Sequence, residues 1–230
     1  MIKNRIFGIT AMVAAVALVG AGCSDDEDNN PVTSAPASNV QVIHASPDAP
    51  AVDIYVDGAK AVTSLSFPEG TGYVPLEAGT RNIKVNASGT DVTVINADLT
   101  LSPNGTYSVF AVDELNEITA LVIEDDLSAP AAGKAHVRFV HLSPDAPAVD
   151  IGVTGGGVVF GNKAFAEYTA FTPLDAGTYN LEVRLAGTDT VVLPLPAITL
   201  EDGRIYTVFA KGFVAGSGDA ALGAQIIVNN

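Results

Sequence analysis

His44-Ala45-Ser46-Pro47-Asp48-Ala49-Pro50-Ala51-Val52-Asp53 returns 97 residues later as His141-Leu142-Ser143-Pro144-Asp145-Ala146-Pro147-Ala148-Val149-Asp150, with nine of the ten positions identical. Self-similarity at a fixed distance marks a repeated structural unit. The repeat extends outward from this stretch. Pro75-Leu76-Glu77-Ala78-Gly79-Thr80 answers to Pro173-Leu174-Asp175-Ala176-Gly177-Thr178. Leu99-Thr100-Leu101 answers to Ile198-Thr199-Leu200, and Tyr107-Ser108-Val109-Phe110-Ala111 to Tyr206-Thr207-Val208-Phe209-Ala210. The separation drifts only from 97 to 99 residues, so single-residue insertions divide the copies.

Within each copy the apolar residues alternate. Val52, Ile54 and Val56 fall on one face, with Asp53 and Tyr55 on the other, which is the period of a half-buried strand. Asp57-Gly58 follows, a strong hairpin signal, and residues 61–67 can return as the partner. Residues 40–45 are mostly apolar. Further strands are expected around 73–76, 81–85, 92–101, 107–111 and 118–123. No stretch beyond the N-terminal segment keeps a 3.6-residue period, so no long helix is expected there. Short strands with turn signals every 8–12 residues or so are the mark of an antiparallel sandwich. Tyr107 after Gly105, and Tyr206 after Gly203, look like the tyrosine corner of such folds.

The N-terminus reads as an address. Lys3 and Arg5 precede an uncharged apolar run over 6–21, too short for the ~20 residues of a membrane span and suited to a secretory signal peptide. Small residues then lead to Cys23, the only cysteine in the chain. The pattern resembles the lipobox of bacterial lipoproteins, with Gly20 where that box usually carries Leu. The resemblance implies cleavage before Cys23 and its acylation. Two or more acyl chains would hold the protein stably on a membrane. The acidic run Asp25-Asp26-Glu27-Asp28 is similar to surface-export signals of some Gram-negative lipoproteins, and equally a charged spacer. Ser24 is similar to residues that permit transfer to the outer membrane. The expected architecture is therefore all-β: two tandem antiparallel β-sandwich domains of immunoglobulin type behind a lipoprotein signal peptide. The boundaries are 1–22 for the signal peptide, 23–39 for an acidic tether, 40–126 for the first repeat, 127–134 for a linker and 135–230 for the second repeat.

Eleven basic residues against 26 acidic ones give a formal net charge of −15, and signal cleavage would remove two of the basic ones. No basic patch exists to hold nucleic acid. A lone cysteine excludes internal disulfides and a cysteine zinc site.

His44 shares a strand face with Val42 and Val40, and His141 with Phe139 and Val137. The opposite face begins with Gln41 or Arg138, which points the histidine side inward. Three chemistries are open to the repeated stretch. Its two prolines and one Asp can build a rigid corner, with Asp48 or Asp145 accepting backbone N–H groups. His44, Asp48 and Asp53, repeated as His141, Asp145 and Asp150, could instead form a ligand or cation site. Ca²⁺ would need six or more oxygens there and zinc would accept His with carboxylate. His44, Ser46 and Asp48 could be catalytic, with Ser and His two apart on a strand pointing the same way, but nothing resembles a nucleophile elbow or oxyanion loop. Tyr55 is the one aromatic turned away from its strand's apolar face, a possible glycan platform; Gly152 stands there in the second copy.

The paired HxSPDAPxVD stretches, the Pro-Leu-(Glu/Asp)-Ala-Gly-Thr turns and the Tyr-(Ser/Thr)-Val-Phe-Ala strands resemble the domain-of-unknown-function 4397 family. The resemblance implies exported bacterial proteins with tandem β-sandwich domains and carries no catalytic residues. The expected function is a non-enzymatic protein lipid-anchored to the outer membrane, facing the cell surface or the periplasm. It would serve as an adhesion, binding or structural module for an extracellular or envelope protein or glycan, without a required cofactor. The alternative is a module binding a small ligand or cation, Ca²⁺ among them, through the His/Asp loops.

Overall fold

The structure, a computed structural model, describes residues 36–230. The signal-peptide stretch, the lipidation candidate Cys23 and the acidic run after it lie outside the described residues. The described residues belong to one compact unit.

Alternation and turn chemistry decide where the strands run. The first half contains β1 (Ala37–His44), β2 (Val52–Val56), β3 (Ala59–Leu65), β4 (Val74–Glu77), β5 (Gly79–Ala87), β6 (Thr93–Leu101), β7 (Thr106–Val112) and β8 (Thr119–Glu124). The second contains β9 (Lys134–His141), β10 (Val149–Val153), β11 (Val158–Lys163), β12 (Thr172–Asp175), β13 (Gly177–Tyr179), β14 (Leu181–Leu185), β15 (Val191–Pro194), β16 (Ile198–Leu200), β17 (Ile205–Lys211) and β18 (Gly223–Val228). Asp57 and Gly58 sit at φ +48° and +82°, the two positive values of a type I′ turn, and Val56 pairs with Ala59 across it. β1 starts inside the stretch read as tether, because Asn39 N–H donates to the Gly105 carbonyl and Ser38 Oγ to that of Ser102.

Each half is a pair of facing sheets. The strand orders are β4-β1-β7-β8 and β3-β2-β5-β6 in the first half. In the second they are β12-β9-β17-β18 and β11-β10-β14-β15, with β13-β16 as a separate pair. Val40, Val109 and Ala111 meet Ile54, Val85 and Leu101 between the first two sheets. Val137, Phe139 and Val208 meet Ile151, Phe160 and Val183 between the second two. The tyrosine-corner reading is matched in the hydrogen bonds: Tyr107 Oη accepts the Ser102 N–H and Tyr206 Oη the Glu201 N–H, both at 3.0 Å.

The expected all-antiparallel pairing is corrected in one respect. β1 runs parallel to β7, and β9 parallel to β17. The chain between such partners must cross over, and here it does so by building the other strands of the half. Those parallel pairs are also covered on both faces. Ile43, Phe110 and Ile123 leave the first half's sheet on its far side and enter a cluster with Val140, Leu142 and Phe209 of the second half. Burying such side chains is worth about 1.5–3 kcal/mol each.

The two halves meet through corresponding surfaces. Phe110 and Phe209, equivalent by register, touch edge to face with centroids 5.9 Å apart. Phe67 lies under the Lys211 ammonium at 5.1 Å, and its equivalent Phe165 packs on the cluster holding Val112, the equivalent of Lys211. Contact of one residue with a second, repeated with the halves exchanged, is the pattern of a two-fold dimer written into one chain.

That contact corrects the reading of Gln41 and Arg138 as the outward face: both are buried. The Arg138 guanidinium donates to Asp125 Oδ1 at 2.5 Å, to Ser108 Oγ at 2.8 Å and to Thr207 Oγ1 at 2.9 Å. Ser108 and Tyr73 hydroxyls donate to Asp125 Oδ2, Gln41 Nε2 donates to Ser108 Oγ, and Asn229 Nδ2 donates to Tyr73 Oη. Burial, reinforced by the Asp125 carboxylate, pushes the Tyr73 phenol up to about 12, so it stays a donor. Asp125 opens the strand-free stretch between the halves and is itself fully enclosed.

Candidate functional site

The repeated stretch follows β1 and β9 and forms a loop at the same place in each half. Its histidine closes that loop. His44 Nε2–H donates to the Pro50 carbonyl at 3.0 Å and His141 Nε2–H to the Pro147 carbonyl at 3.1 Å. The acceptor is a carbonyl, so the proton must sit on Nε2. Both rings are fully buried. Burial holds both imidazoles below their ordinary pKa, against a smaller opposing effect of the proline carbonyls.

The first aspartate clamps a neighbouring loop. Asp48 Oδ1 accepts the Leu115 N–H at 2.8 Å, and Asp145 accepts the Val214 N–H at 3.0 and 3.1 Å. The second aspartate holds a bulge. β3 carries one extra residue opposite Val52–Ile54, and Ser64 there has φ +53°. Asp53 Oδ1 accepts the Ser64 N–H at 2.9 Å and the Ser88 hydroxyl at 2.8 Å. In the second half Asn162, at φ +50°, donates its N–H to Asp150 Oδ1 at 2.6 Å, and Gly187 N–H reaches Oδ2 at 2.8 Å. A bulge residue left unpaired by the ladder thus finds its acceptor in the motif. Lys60 Nζ pairs with Asp53 Oδ2 at 2.7 Å and, with the N–H donors, holds that carboxyl well below the usual range.

His44, Asp48 and Asp53 are therefore each committed to a different segment, and the same holds for His141, Asp145 and Asp150. Among the described residues no group of three His, Cys, Asp or Glu side chains converges in a way that could hold a metal ion. The serines differ between copies. Ser143 Oγ donates to the Gly212 carbonyl at 2.6 Å, whereas Ser46 Oγ and His44 Nδ1 are buried with no partner among the described residues. Tyr55, the outward aromatic, has the Lys60 ammonium over its ring at 5.3 Å.

One concavity lies against the motif in the second half. A cavity of about 390 Å³ lies beside the second copy, with Pro147, Val192, Leu193, Val214 and Leu222 among its walls and His141 and Ser143 on its lining. The sequence offered one signal for it. Residues 212–222 replace the shorter 113–118 between the last two strands, and they are rich in Gly and Ala.

No protein of curated function matches the sequence. Among solved structures, a family 26 carbohydrate-binding module from Eubacterium rectale, crystallised with maltoheptaose, is similar at 12% identity. The match covers 83% of this chain and 95% of that one with a TM-score of 0.26, too slight to bear on fold or ligand. A family described as a domain of unknown function, DUF4397, matches residues 38–152. That span runs from the first strand through the second copy of the repeated stretch and takes in half the sequence, so the chain belongs to the DUF4397 family.

Proposed function

We propose that this is a non-enzymatic envelope protein, anchored through acylated Cys23 in the outer membrane, whose paired immunoglobulin-like halves form a rigid module for binding an extracellular or envelope protein or glycan. The observation that carries the reading is the engagement of the motif's histidines and aspartates with backbone groups in both copies. Hydrolysis by a Ser–His pair needs the imidazole to take the hydroxyl proton. Here His141 Nε2–H is turned to the Pro147 carbonyl, and the Ser143 hydroxyl donates to Gly212 instead. The aspartates fasten loops and bulges, which is what a rigid platform requires. The strongly acidic composition suits an exported, soluble body.

The test is protease shaving of intact cells with a blot against the second half, beside palmitate labelling of the natural chain and Cys23→Ser. Acyl label lost in Cys23→Ser and signal lost on shaving support the reading. Retained label overturns the anchor. Protection from protease overturns surface adhesion and turns the search toward periplasmic partners, by crosslinking.

A further inference from the structure

We propose that the cavity beside the second motif loop binds a small, uncharged, apolar molecule. This goes beyond the module reading and needs neither the anchor nor a surface location.

Size comes first. About 390 Å³ falls in the range of small-molecule sites, roughly 300–1,000 Å³. The chemistry of the walls comes next. Valine, leucine, alanine and proline supply most of the lining, and no Lys, Arg, Asp or Glu is among the lining residues. An ionised ligand would find no counter-charge, and burying one unpaired is costly. The two polar side chains present are already engaged, His141 with Pro147 and Ser143 with Gly212. With its pKa held down by burial, His141 adds no positive charge at neutral pH. A ligand rich in hydroxyls would give up its water bonds without replacement, whereas an apolar one loses nothing.

The wall is built and held in place. Gly212 has φ +82°, and a Cβ there would lie 2.2 Å from the Ala221 carbonyl oxygen. At Gly216 it would lie 2.1 Å from that of Ala220. The loop can fold this tightly only with glycine at both places. Asp145 holds it at Val214 N–H, and Lys211 Nζ ties to the Asp219 carbonyl at 2.8 Å. The first half shows the contrast. Val94 and Ile118, equivalent to Val192 and Leu222, pack onto their own core. Val192 and Val214 stay 44% and 53% exposed at the mouth of the cavity. Apolar groups around a concavity and open to water are the mark of a ligand site.

The probe is N-phenyl-1-naphthylamine, uncharged and fluorescent in apolar surroundings, titrated into the full chain carrying Cys23→Ser so that no acyl group competes. Saturable one-to-one binding is expected. Val214→Glu and Val192→Asp, both at exposed positions, should each weaken it at least tenfold. Val74→Glu, exposed but remote from the cavity, should leave it unchanged. Circular dichroism confirms that the variants remain folded. Absence of saturable binding, or equal binding by both rim variants, overturns the proposal. Either result leaves the module reading to the shaving experiment.

Discussion

A single buried imidazole shows how the motif couples to pH. Because the folded chain holds His44 and His141 below their ordinary 6.5, the unfolded chain takes up protons that the folded one refuses. Stability is therefore full above about pH 6.5 and falls as the pH drops below it, by at most about 1.4 kcal/mol per pH unit for each ring. Urea unfolding at pH 7.5 and 5.5 should show this fall, and His44→Gln with His141→Gln should flatten it. An unchanged slope in the double variant would assign the acid sensitivity elsewhere. The serines offer a second contrast. Ser143→Ala strips the Gly212 carbonyl of its donor and should cost about 1–2 kcal/mol. Ser46→Ala removes a hydroxyl with no partner among the described residues and should be neutral or slightly stabilising. Equal losses would refute the asymmetry.

The elements were mostly legible before the fold was known. Alternation at Val52-Ile54-Val56 and the Asp57-Gly58 turn gave the first hairpin, and Tyr107 and Tyr206 announced their own backbone partners. The inward direction of His44 was readable from Val40 and Val42. What lay on the opposite face was not, because alternation tells which residues share a side and never what covers it. Gln41 and Arg138 looked solvated, yet their partners come from other strands, 67 positions away for Ser108 from Gln41 and 69 for Thr207 from Arg138. The overlooked signal was Ile43, apolar on the face of Gln41 and opposite Val40 and Val42, since strands covered on both sides carry apolar residues on both. The Arg138–Asp125 pair lends itself to a double-mutant cycle. Asp125→Asn leaves a buried guanidinium without its counter-charge and should cost about 3–5 kcal/mol. Adding Arg138→Gln makes both positions like their equivalents, Asn229 and Gln41, and should restore part of the loss. Strictly additive effects in denaturant melts would show the two groups to be uncoupled.

At the scale of the whole molecule, the shared cluster joins what the sequence divided with a linker. Calorimetry of the full chain should give one cooperative transition; two well-separated ones would mean that the halves melt independently. Residues 36–130 made alone would expose Ile43, Phe110 and Ile123, and should associate or aggregate unless the second half is supplied. The levels of contact also give the molecule a direction. Arg138 bridges Ser108 and Thr207, and Phe110 meets Phe209, in that order along β7 and β17, while Phe67, beside His44 at the end of β1, meets Lys211 at the end of β17. The central strands of both halves therefore point the same way, and both motif loops open at one rim. The described chain starts and finishes at the other rim, where Asn39 N–H donates to Gly105 and Asn229 N–H to Ile205. The consequence is mechanical. A pull between the start of β1 and a partner gripped at the second half's motif loop would have to leave β1 through its neighbours, lengthwise along about 25 Å of strand. Its six register pairs with β7 and four with β4 would then resist together, in shear, instead of unzipping one after another.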